Sequence, residues 1–238
     1  MATKERLDYG IGAPGYPIMF TILAVVSAVV AVILGVKGFS ISSLIIGVIC
    51  GFWILCVAVW LLGSKYACLR ARDAILSRIA WRGDERVLDV GCGHGLLLVG
   101  AAKKLTTGRA VGVDIWRQVD QWDNHPENTA RNARIEGVAD RVEIHTCDAS
   151  KLIFPDESFD VVLSSSALHD MVERDRVLRE IIRVLKPGGQ VAIYDIMHIP
   201  RYQEIFLESG MQQVQHWGKL RWYLPFAKLL TAIKPVRQ

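Results

Sequence analysis

The sequence predicts a doubly wound α/β domain that follows an N-terminal hairpin of two membrane-spanning helices. Three observations predict this architecture. Two long apolar runs come first, at Ile18–Val36 and Ile41–Gly63. From Arg82 onward, short apolar strands alternate with helical stretches, which is typical of a parallel sheet covered by helices on both faces. A glycine-rich turn, VLDVGCGHG at residues 87–95, stands where the first of these strands meets a helix.

The apolar runs are nineteen and twenty-three residues long and carry no charge. A helix of about 20 apolar residues crosses the hydrocarbon core of a bilayer. A cleaved signal peptide has a shorter apolar region, of about 7–15 residues, and no second span after it. A buried helical hairpin is the remaining alternative. We predict that residues 1–63 form an N-terminal tail and two transmembrane helices, at about 18–36 and 41–63.

The charges beside the runs predict the orientation. Lys4 and Arg6 precede the first run and Lys65 and Arg70 follow the second, whereas Lys37 is the charge between them. By the positive-inside rule, the N-terminus and the domain after the hairpin both lie in the cytoplasm. We therefore expect a two-pass integral membrane protein.

Residues 64–81 are predicted to be an amphipathic connector. Its basic residues suit a surface of anionic lipid, so the lipid bilayer is the expected partner. The net charge of +4 is small for a nucleic-acid-binding protein, and no nucleic-acid-binding module is recognisable. We expect no nucleic-acid partner.

The five cysteines do not suggest a disulfide framework or a zinc site, because their number is odd and none forms a CxxC pair. We expect no metal site. Cys68 follows the second run closely enough for acylation. An inert thiol is the simpler interpretation.

The domain at 82–238 shows the expected alternation of elements. Predicted strands lie at Arg86–Val90, Ala110–Asp114, Val142–Thr146, Asp160–Ser164, Gln190–Asp195, Gln213–Trp217 and Leu229–Lys234. Predicted helices lie at Leu96–Leu105, Pro126–Glu136, Asp175–Leu185 and Arg201–Ser209.

The glycine-rich turn indicates a ligand site, because ligands of open parallel sheets bind at the carboxyl ends of the strands. Gly91 and Gly93 allow a sharp turn and a close approach to a ligand, and Gly95 allows the next helix to pack on the strand. The spacing is GxGxG, not the GxGxxG of dinucleotide sites. Asp89 stands where it would repel a diphosphate.

The ligand should therefore lack phosphates and carry positive charge. S-adenosylmethionine fits, since it has a sulfonium, an ammonium and a neutral ribose. Asp89 suits the methionine end, and Asp114, at the end of the second strand, suits both ribose hydroxyls. Cys92, Ile115 and Trp116 adjoin these residues and are further candidates for cofactor contact.

The motifs VLDVGCGHG, VGVD at 111–114, CDA at 147–149 and LKPGG at 185–189 resemble those of the class I S-adenosylmethionine-dependent methyltransferase family. The resemblance covers about residues 82–234. It implies a mainly parallel seven-stranded sheet that ends in an antiparallel strand pair, with S-adenosyl-L-methionine as the cofactor. It places Asp148 and Ala149 beside the adenine and Ser164 at the cofactor. It also implies that Pro187–Gly189 form a turn before the fifth strand.

The sequence departs from the family at 116–125. These residues separate the ribose acid from Pro126 and Glu127, which suit a helix start. We expect a lid in which Trp116 and Trp122 cover the cofactor or the substrate. The alternative is a surface loop packed on itself.

The fourth strand ends beside the expected methyl group. His169 is the candidate general base, and Asp170 is a tentative partner or substitute. The alternative is that His169 caps a helix or only shapes the pocket. Tyr194 is a tentative catalytic residue, and Asp195 with it is a candidate for substrate binding. The aromatic and basic segment at 216–226 suits a lipid headgroup region or an inward-packed turn.

We interpret the chain as a membrane-anchored methyltransferase that acts on a lipophilic acceptor, such as a quinone or phenol precursor, a lipid amine or a hydrophobic thiol. An anchored enzyme for a soluble small molecule or a protein is the alternative. A catalytically silent scaffold is disfavoured because both carboxylates are present, and a nicotinamide oxidoreductase is disfavoured by the glycine spacing.

Overall fold

The computed structural model describes residues 6–10, 15–218 and 227–236. The chain divides into two compact units. One contains Met1–Gly10 and Cys68–Gln238, and the other is Ile11–Ala67. Most of the predicted segment at 216–226 lies outside the described residues.

The smaller unit is a helical hairpin. Helix α1 is Gly15–Val36, and helix α2 begins at Ser40. Gly38 has a φ of +83°, which the short connection between the helices requires. Ser43 Oγ donates to the Ala31 carbonyl oxygen at 2.7 Å across the hairpin. Both helices contain a 20-residue stretch long and apolar enough to cross a membrane, and almost none of those residues is buried.

Helix α2 differs from the prediction at its end. It runs from Ser40 to Leu76, so the predicted second span and most of the predicted connector form one helix. Residues 64–76 contain neither glycine nor proline, and nothing in this stretch stops a helix. Its buried residues, Cys68, Ala71, Ile75 and Leu76, recur at helical spacing. One side of this part of α2 is therefore buried in the protein.

The larger unit contains one seven-stranded sheet in the order β3-β2-β1-β4-β5-β7-β6. The strands are β1 Arg86–Val90, β2 Arg109–Asp114, β3 Val142–Thr146, β4 Phe159–Ser165, β5 Leu185–Asp195, β6 Gln212–Trp217 and β7 Lys228–Ile233. The first five strands are parallel, and β7 pairs antiparallel with both β5 and β6. The sheet is thus mixed, and its antiparallel pair lies at one edge.

Helices cover both faces of this sheet. They are α3 Leu96–Ala102, α4 Pro126–Ile135, α5 Arg174–Val184 and α6 Ile199–Glu208. Two separate clusters of buried apolar residues form the core, one of them containing residues of α3 and the other residues of α5 and α6. The strand order reverses between β1 and β4, so the carboxyl ends of these neighbouring strands form the switch point at which such sheets bind ligands.

The predicted turn at Pro187–Gly189 is wrong as a boundary. Strand β5 already begins at Leu185, where it pairs with Phe159, and the register shifts before Val161 pairs with Gln190. Gly188 has a φ of +76°, and its amide donates to the Lys234 carbonyl oxygen at 2.8 Å. The glycines therefore form a bulge within the strand, because the edge pair supplies a backbone partner there.

Candidate active site at the switch point

The turn at Gly91–Gly95 joins β1 to α3. Gly91, Gly93 and Gly95 have φ values of +71°, +47° and +84°. The amides of Gly91 and Cys92 donate to the Val113 carbonyl oxygen at 2.9 and 3.1 Å, which holds the turn against β2. The left-handed conformation at all three glycines explains the residue type at each position.

Gly91 also lies too close to the segment after β4 for a side chain. A Cβ atom at this position would overlap the Ala167 side chain. We expect Gly91→Ala to lower the free energy of unfolding by about 2–4 kcal/mol, as left-handed strain and a core clash act together. Gly137→Ala is the matched control, since Gly137 has a φ of +70° and open space around it. Thermal unfolding measures both variants. An equal loss of unfolding free energy in Gly91→Ala and Gly137→Ala would contradict a contribution of the clash with Ala167.

Asp89 is buried in β1 beneath the turn, with 2% of its surface exposed. Burial is the main cause that raises the pKa of Asp89 to about 7, and the neighbouring Asp114 raises it further. A positively charged group near this carboxyl would favour its ionised form. Asp89 therefore suits the cationic end of the expected cofactor.

The raised pKa of Asp89 predicts an unusual pH dependence of stability. The folded chain holds this proton up to about pH 7, whereas the unfolded chain releases it near pH 4. The stability contributed by the protonated carboxyl is thus fully present below about pH 4 and is lost as the pH rises to 7. We expect wild type to lose about 2–3 kcal/mol more than Asp89→Asn between pH 5 and pH 8. Parallel unfolding curves for the two proteins would contradict this.

Asp114 lies at the end of β2 and contacts the glycine turn directly. Its Oδ2 atom accepts from the Gly93 amide at 2.9 Å. Its Oδ1 atom accepts from the Trp116 amide at 2.7 Å and from Asn124 Nδ2 at 3.3 Å. A carboxylate has about four acceptor sites. Asp114 is therefore held in place and keeps capacity for a further donor.

The start of α3 does not offer a phosphate site. The Gly93 amide donates to Asp114, and the His94 amide donates to Gln121 Oε1 at 3.2 Å. Side chains of this protein thus satisfy amides that a dinucleotide site would direct to a pyrophosphate. The two carboxylates beside the turn accept hydrogen bonds and attract cations, so they fit a nucleoside that carries positive charge.

The other predicted cofactor residues are divided between two places. Ser164 Oγ donates to the Val90 carbonyl oxygen at 2.8 Å, so Ser164 joins the ends of β4 and β1. Cys92 is buried in the turn. Asp148 follows β3, two strands away, and its Oδ1 atom accepts from the Ser150 amide at 2.8 Å. This contact lowers the pKa of Asp148. Ala149 is buried beside it.

The loop at 116–125 is only partly consistent with a lid. Trp116 packs against the core, and its Nε1 atom donates to Thr146 Oγ1 at 2.8 Å. Trp116 has a φ of +60°, a conformation that a bulky residue rarely adopts. Ile115 and Trp122 are exposed, Trp122 by 68%. In this structure, Trp122 does not cover the turn.

His169 lies between two carboxylates at the ends of β4 and β5. Its Nδ1 atom is 2.6 Å from Asp195 Oδ1, and its Nε2 atom is 3.2 Å from Asp170 Oδ2. The contact with Asp195 raises the pKa of His169, and the charges of Asp195 and Asp170 act in the same direction. His169 is mostly buried, whereas Asp170 is half-exposed.

Asp195 is completely buried and firmly held. Its Oδ2 atom accepts from the His169 amide at 3.0 Å and from the Tyr202 hydroxyl at 3.3 Å, and its Oδ1 atom accepts from the Ile196 amide at 2.8 Å. The sequence predicts Asp195 at the site but does not predict its pairing with His169. The pairing of Asp195 with His169 could have been predicted from their positions. Each residue lies at or shortly after the end of one of two neighbouring parallel strands, and the carboxyl ends of such strands meet at one edge.

Tyr194 and Ser166 also lie near this point. Tyr194 is completely buried in the core cluster that contains Leu229, and its neighbour Asp195 belongs to the opposite face because side chains alternate along a strand. Ser166 has a φ of +52°. Its buried hydroxyl has no hydrogen-bond partner among the described residues. The sequence predicts no role for Ser166.

Within the described ranges, no group of three or more histidine, cysteine, aspartate or glutamate residues could hold a metal ion. The five cysteines are free thiols.

Part of the chain is similar to known methyltransferases. Residues 88–193 match the family described as "Methyltransferase domain". A 27-O-demethylrifamycin SV methyltransferase from Amycolatopsis mediterranei is 32% identical over 156 residues, which are 64% of this chain and 53% of that protein. A probable phthiotriol/phenolphthiotriol dimycocerosates methyltransferase from Mycobacterium ulcerans is 36% identical over 135 residues, 56% of this chain and 48% of that protein.

A solved structure has the same fold. The geranyl diphosphate C-methyltransferase from Streptomyces coelicolor, crystallised with S-adenosyl-L-homocysteine, superposes with a TM-score of 0.58 at 15% identity. The match covers 69% of this chain and 75% of that one. The chain spans about half the length of the two curated relatives.

Proposed function

We propose that this chain, which carries a class I S-adenosylmethionine-dependent methyltransferase domain, methylates a lipophilic acceptor at the cytoplasmic face of a membrane. S-adenosyl-L-methionine is the cofactor of this domain. The observation that carries the assignment of the cofactor, and with it the methyltransferase activity, is the pair of carboxylates at the glycine turn. Asp89 and Asp114 lie beside amides that side chains of this protein already satisfy. Gly91, Gly93, Asp114 and Asp148 would hold the cofactor.

The second group of residues supplies a base. When bound, the cofactor provides a methyl group activated by a sulfonium. His169 takes the proton of the acceptor at Nε2, while Asp195 holds Nδ1 and stabilises the imidazolium that forms. Asp170, beside Nε2 and half-exposed, passes this proton to solvent. A base of this kind favours an acceptor hydroxyl, such as a phenol or an alcohol, since that nucleophile must lose a proton.

Two observations support a lipophilic acceptor. Helices α1 and α2 each contain a stretch that is long enough to span a bilayer and almost entirely exposed. Attachment to a bilayer raises the effective concentration of an enzyme near acceptors dissolved in it. The relative from Mycobacterium ulcerans is named for dimycocerosate substrates. The relative from Amycolatopsis mediterranei is named for a different acceptor, a rifamycin, and a soluble small molecule is the second candidate.

A labelled transfer assay separates the two candidates. The full chain is reconstituted in vesicles and given methyl-labelled S-adenosylmethionine with either a lipid extract or an aqueous extract of cells. We expect label in a product that partitions into organic solvent, and much less label with His169→Ala. Label found only in aqueous products, with none from the lipid extract, would contradict a lipophilic acceptor and favour the second candidate.

A further inference from the structure

Residues 8–10, which precede the hairpin in sequence, lie on the methyltransferase unit. The Asp8 amide donates to Asn132 Oδ1 at 3.2 Å, and Asn132 Nδ2 donates to the Asp8 carbonyl oxygen at 2.7 Å. The Tyr9 hydroxyl donates to Glu136 Oε1 at 3.3 Å, and Tyr9 packs against the core. These contacts attach the N-terminal segment to helix α4.

Gln121 connects this segment to the glycine turn. Its Nε2 atom donates to the Tyr9 carbonyl oxygen at 2.9 Å, and its Oε1 atom accepts from the His94 amide at 3.2 Å. A Cβ atom on Gly10 or on Gly93 would collide with the Gln121 side chain. The amide group of Gln121 therefore fits between two glycines that are more than 80 positions apart in sequence.

The His94 ring contacts the loop at 116–125 near its end, at Asp123. His94 is buried, with its Nδ1 atom 3.1 Å from the Asp8 carbonyl oxygen and its Nε2 atom 2.9 Å from the Asp123 carbonyl oxygen. The ring thus lies between the N-terminal segment and the residue before Asn124. Residues 8–10, His94 and Gln121 together brace the loop at 116–125 against the turn.

Asn124 is the residue that this brace positions. It is 3% exposed, and its Nδ2 atom donates to Asp114 Oδ1 at 3.3 Å. Its Oδ1 atom is buried without a hydrogen-bond partner among the described residues. Exchanging the amide oxygen and nitrogen would set an oxygen against the Asp114 carboxylate, so the contact fixes the orientation. A buried acceptor without a donor costs about 1–3 kcal/mol. Its position beside the ribose acid indicates that a ligand supplies the donor.

We propose that Asn124 is a cofactor-binding residue whose Oδ1 atom accepts a hydrogen bond from a ribose hydroxyl beside Asp114. The loop at 116–125, braced by residues 8–10, is then a built part of the cofactor site. This inference rests on the proposed function, because it requires S-adenosylmethionine as the ligand.

Calorimetric titration with S-adenosylhomocysteine, which is not consumed, tests the role of Asn124. We expect Asn124→Ala to weaken binding by about 3- to 10-fold in the full chain in detergent. The loss should disappear with either the 2′-deoxy or the 3′-deoxy analogue, since that ligand lacks the donor. Leu207→Ala, a change at a 56% exposed position of α6, is the control and should bind normally.

The outcomes separate this inference from the proposed function. Unchanged affinity in Asn124→Ala, or an equal loss with both deoxy analogues, overturns the role of Asn124 while wild type still binds the cofactor. Failure of wild type to bind S-adenosylhomocysteine overturns the proposed function. Asn124→Ser, which keeps a small polar side chain, provides the same test if the alanine variant does not fold.

A second variant tests the brace. Gln121→Glu keeps an acceptor for the His94 amide but places an oxygen against the Tyr9 carbonyl oxygen. We expect weaker binding of S-adenosylhomocysteine and faster hydrogen exchange at residues 8–10. Gln215→Glu, the same change at an exposed position of β6, is the matched control and should leave both quantities unchanged. Normal affinity in Gln121→Glu would show that the N-terminal segment does not support the site.

Discussion

Replacement of His169 by alanine is expected to lower kcat by about 10²- to 10⁴-fold, the usual contribution of a general base. The affinity for S-adenosylmethionine should remain within about 2-fold of wild type, because His169 belongs to the ends of β4 and β5 and not to the glycine turn. Calorimetry and a methyl-transfer assay measure the two quantities. Loss of cofactor binding together with activity would show that His169 is structural.

Asp195→Asn provides the sharper form of this test. His169 works as a base when neutral, so the rate falls as the pH drops below the pKa of His169. Asp195 is the largest cause that raises this pKa. In Asp195→Asn we therefore expect a lower kcat and an acid limb of the pH–rate profile shifted to lower pH. Asp170→Asn should shift the limb less, because Asp170 is half-exposed and its contact is longer. An unchanged profile in Asp195→Asn would contradict the positioning role.

Asp114→Asn is expected to weaken the binding of S-adenosylmethionine by about 10²-fold or more. The loss of the charge weakens hydrogen bonds to the ribose hydroxyls, each worth about 1.5–3 kcal/mol when one partner is charged. It also disturbs the contact with the Gly93 amide. Asp140→Asn, at an exposed carboxylate beside the short turn before β3, is the matched control for net charge. Equal affinities of the two variants would exclude Asp114 as the ribose acid.

Much of the domain follows from local signals. The β-branched runs at β1 and β2 are bounded by glycine, aspartate or charged residues, and Pro126 and Glu127 mark the start of α4. These signals predict the strands and helices to within a few residues. The carboxyl ends of parallel strands share one edge, which is why the glycine turn and Asp114, both predicted to contact the ligand, lie together.

Other features depend on contacts between distant segments. Pro187–Gly189 indicate a turn locally, but pairing with the edge strands draws them into β5. Helix α2 continues through Gly63 to Leu76, so the hydropathy pattern, which predicts the apolar span, does not give the end of the helix. The contacts of Asp8 with Asn132 join residues 124 positions apart, and no periodic pattern in the sequence reveals them. The sequence also does not predict that Asn124 Oδ1 lacks a hydrogen-bond partner within the described part of the chain, because this depends on the residues that bury the atom in the folded chain.

Calorimetric titration of the purified full chain with S-adenosylmethionine and with NADH decides which cofactor the glycine turn binds. The carboxylates at the glycine turn predict saturable binding of S-adenosylmethionine, competition by S-adenosylhomocysteine and no binding of NADH. Folded protein that binds NADH, or that binds neither compound, would contradict S-adenosylmethionine as the cofactor.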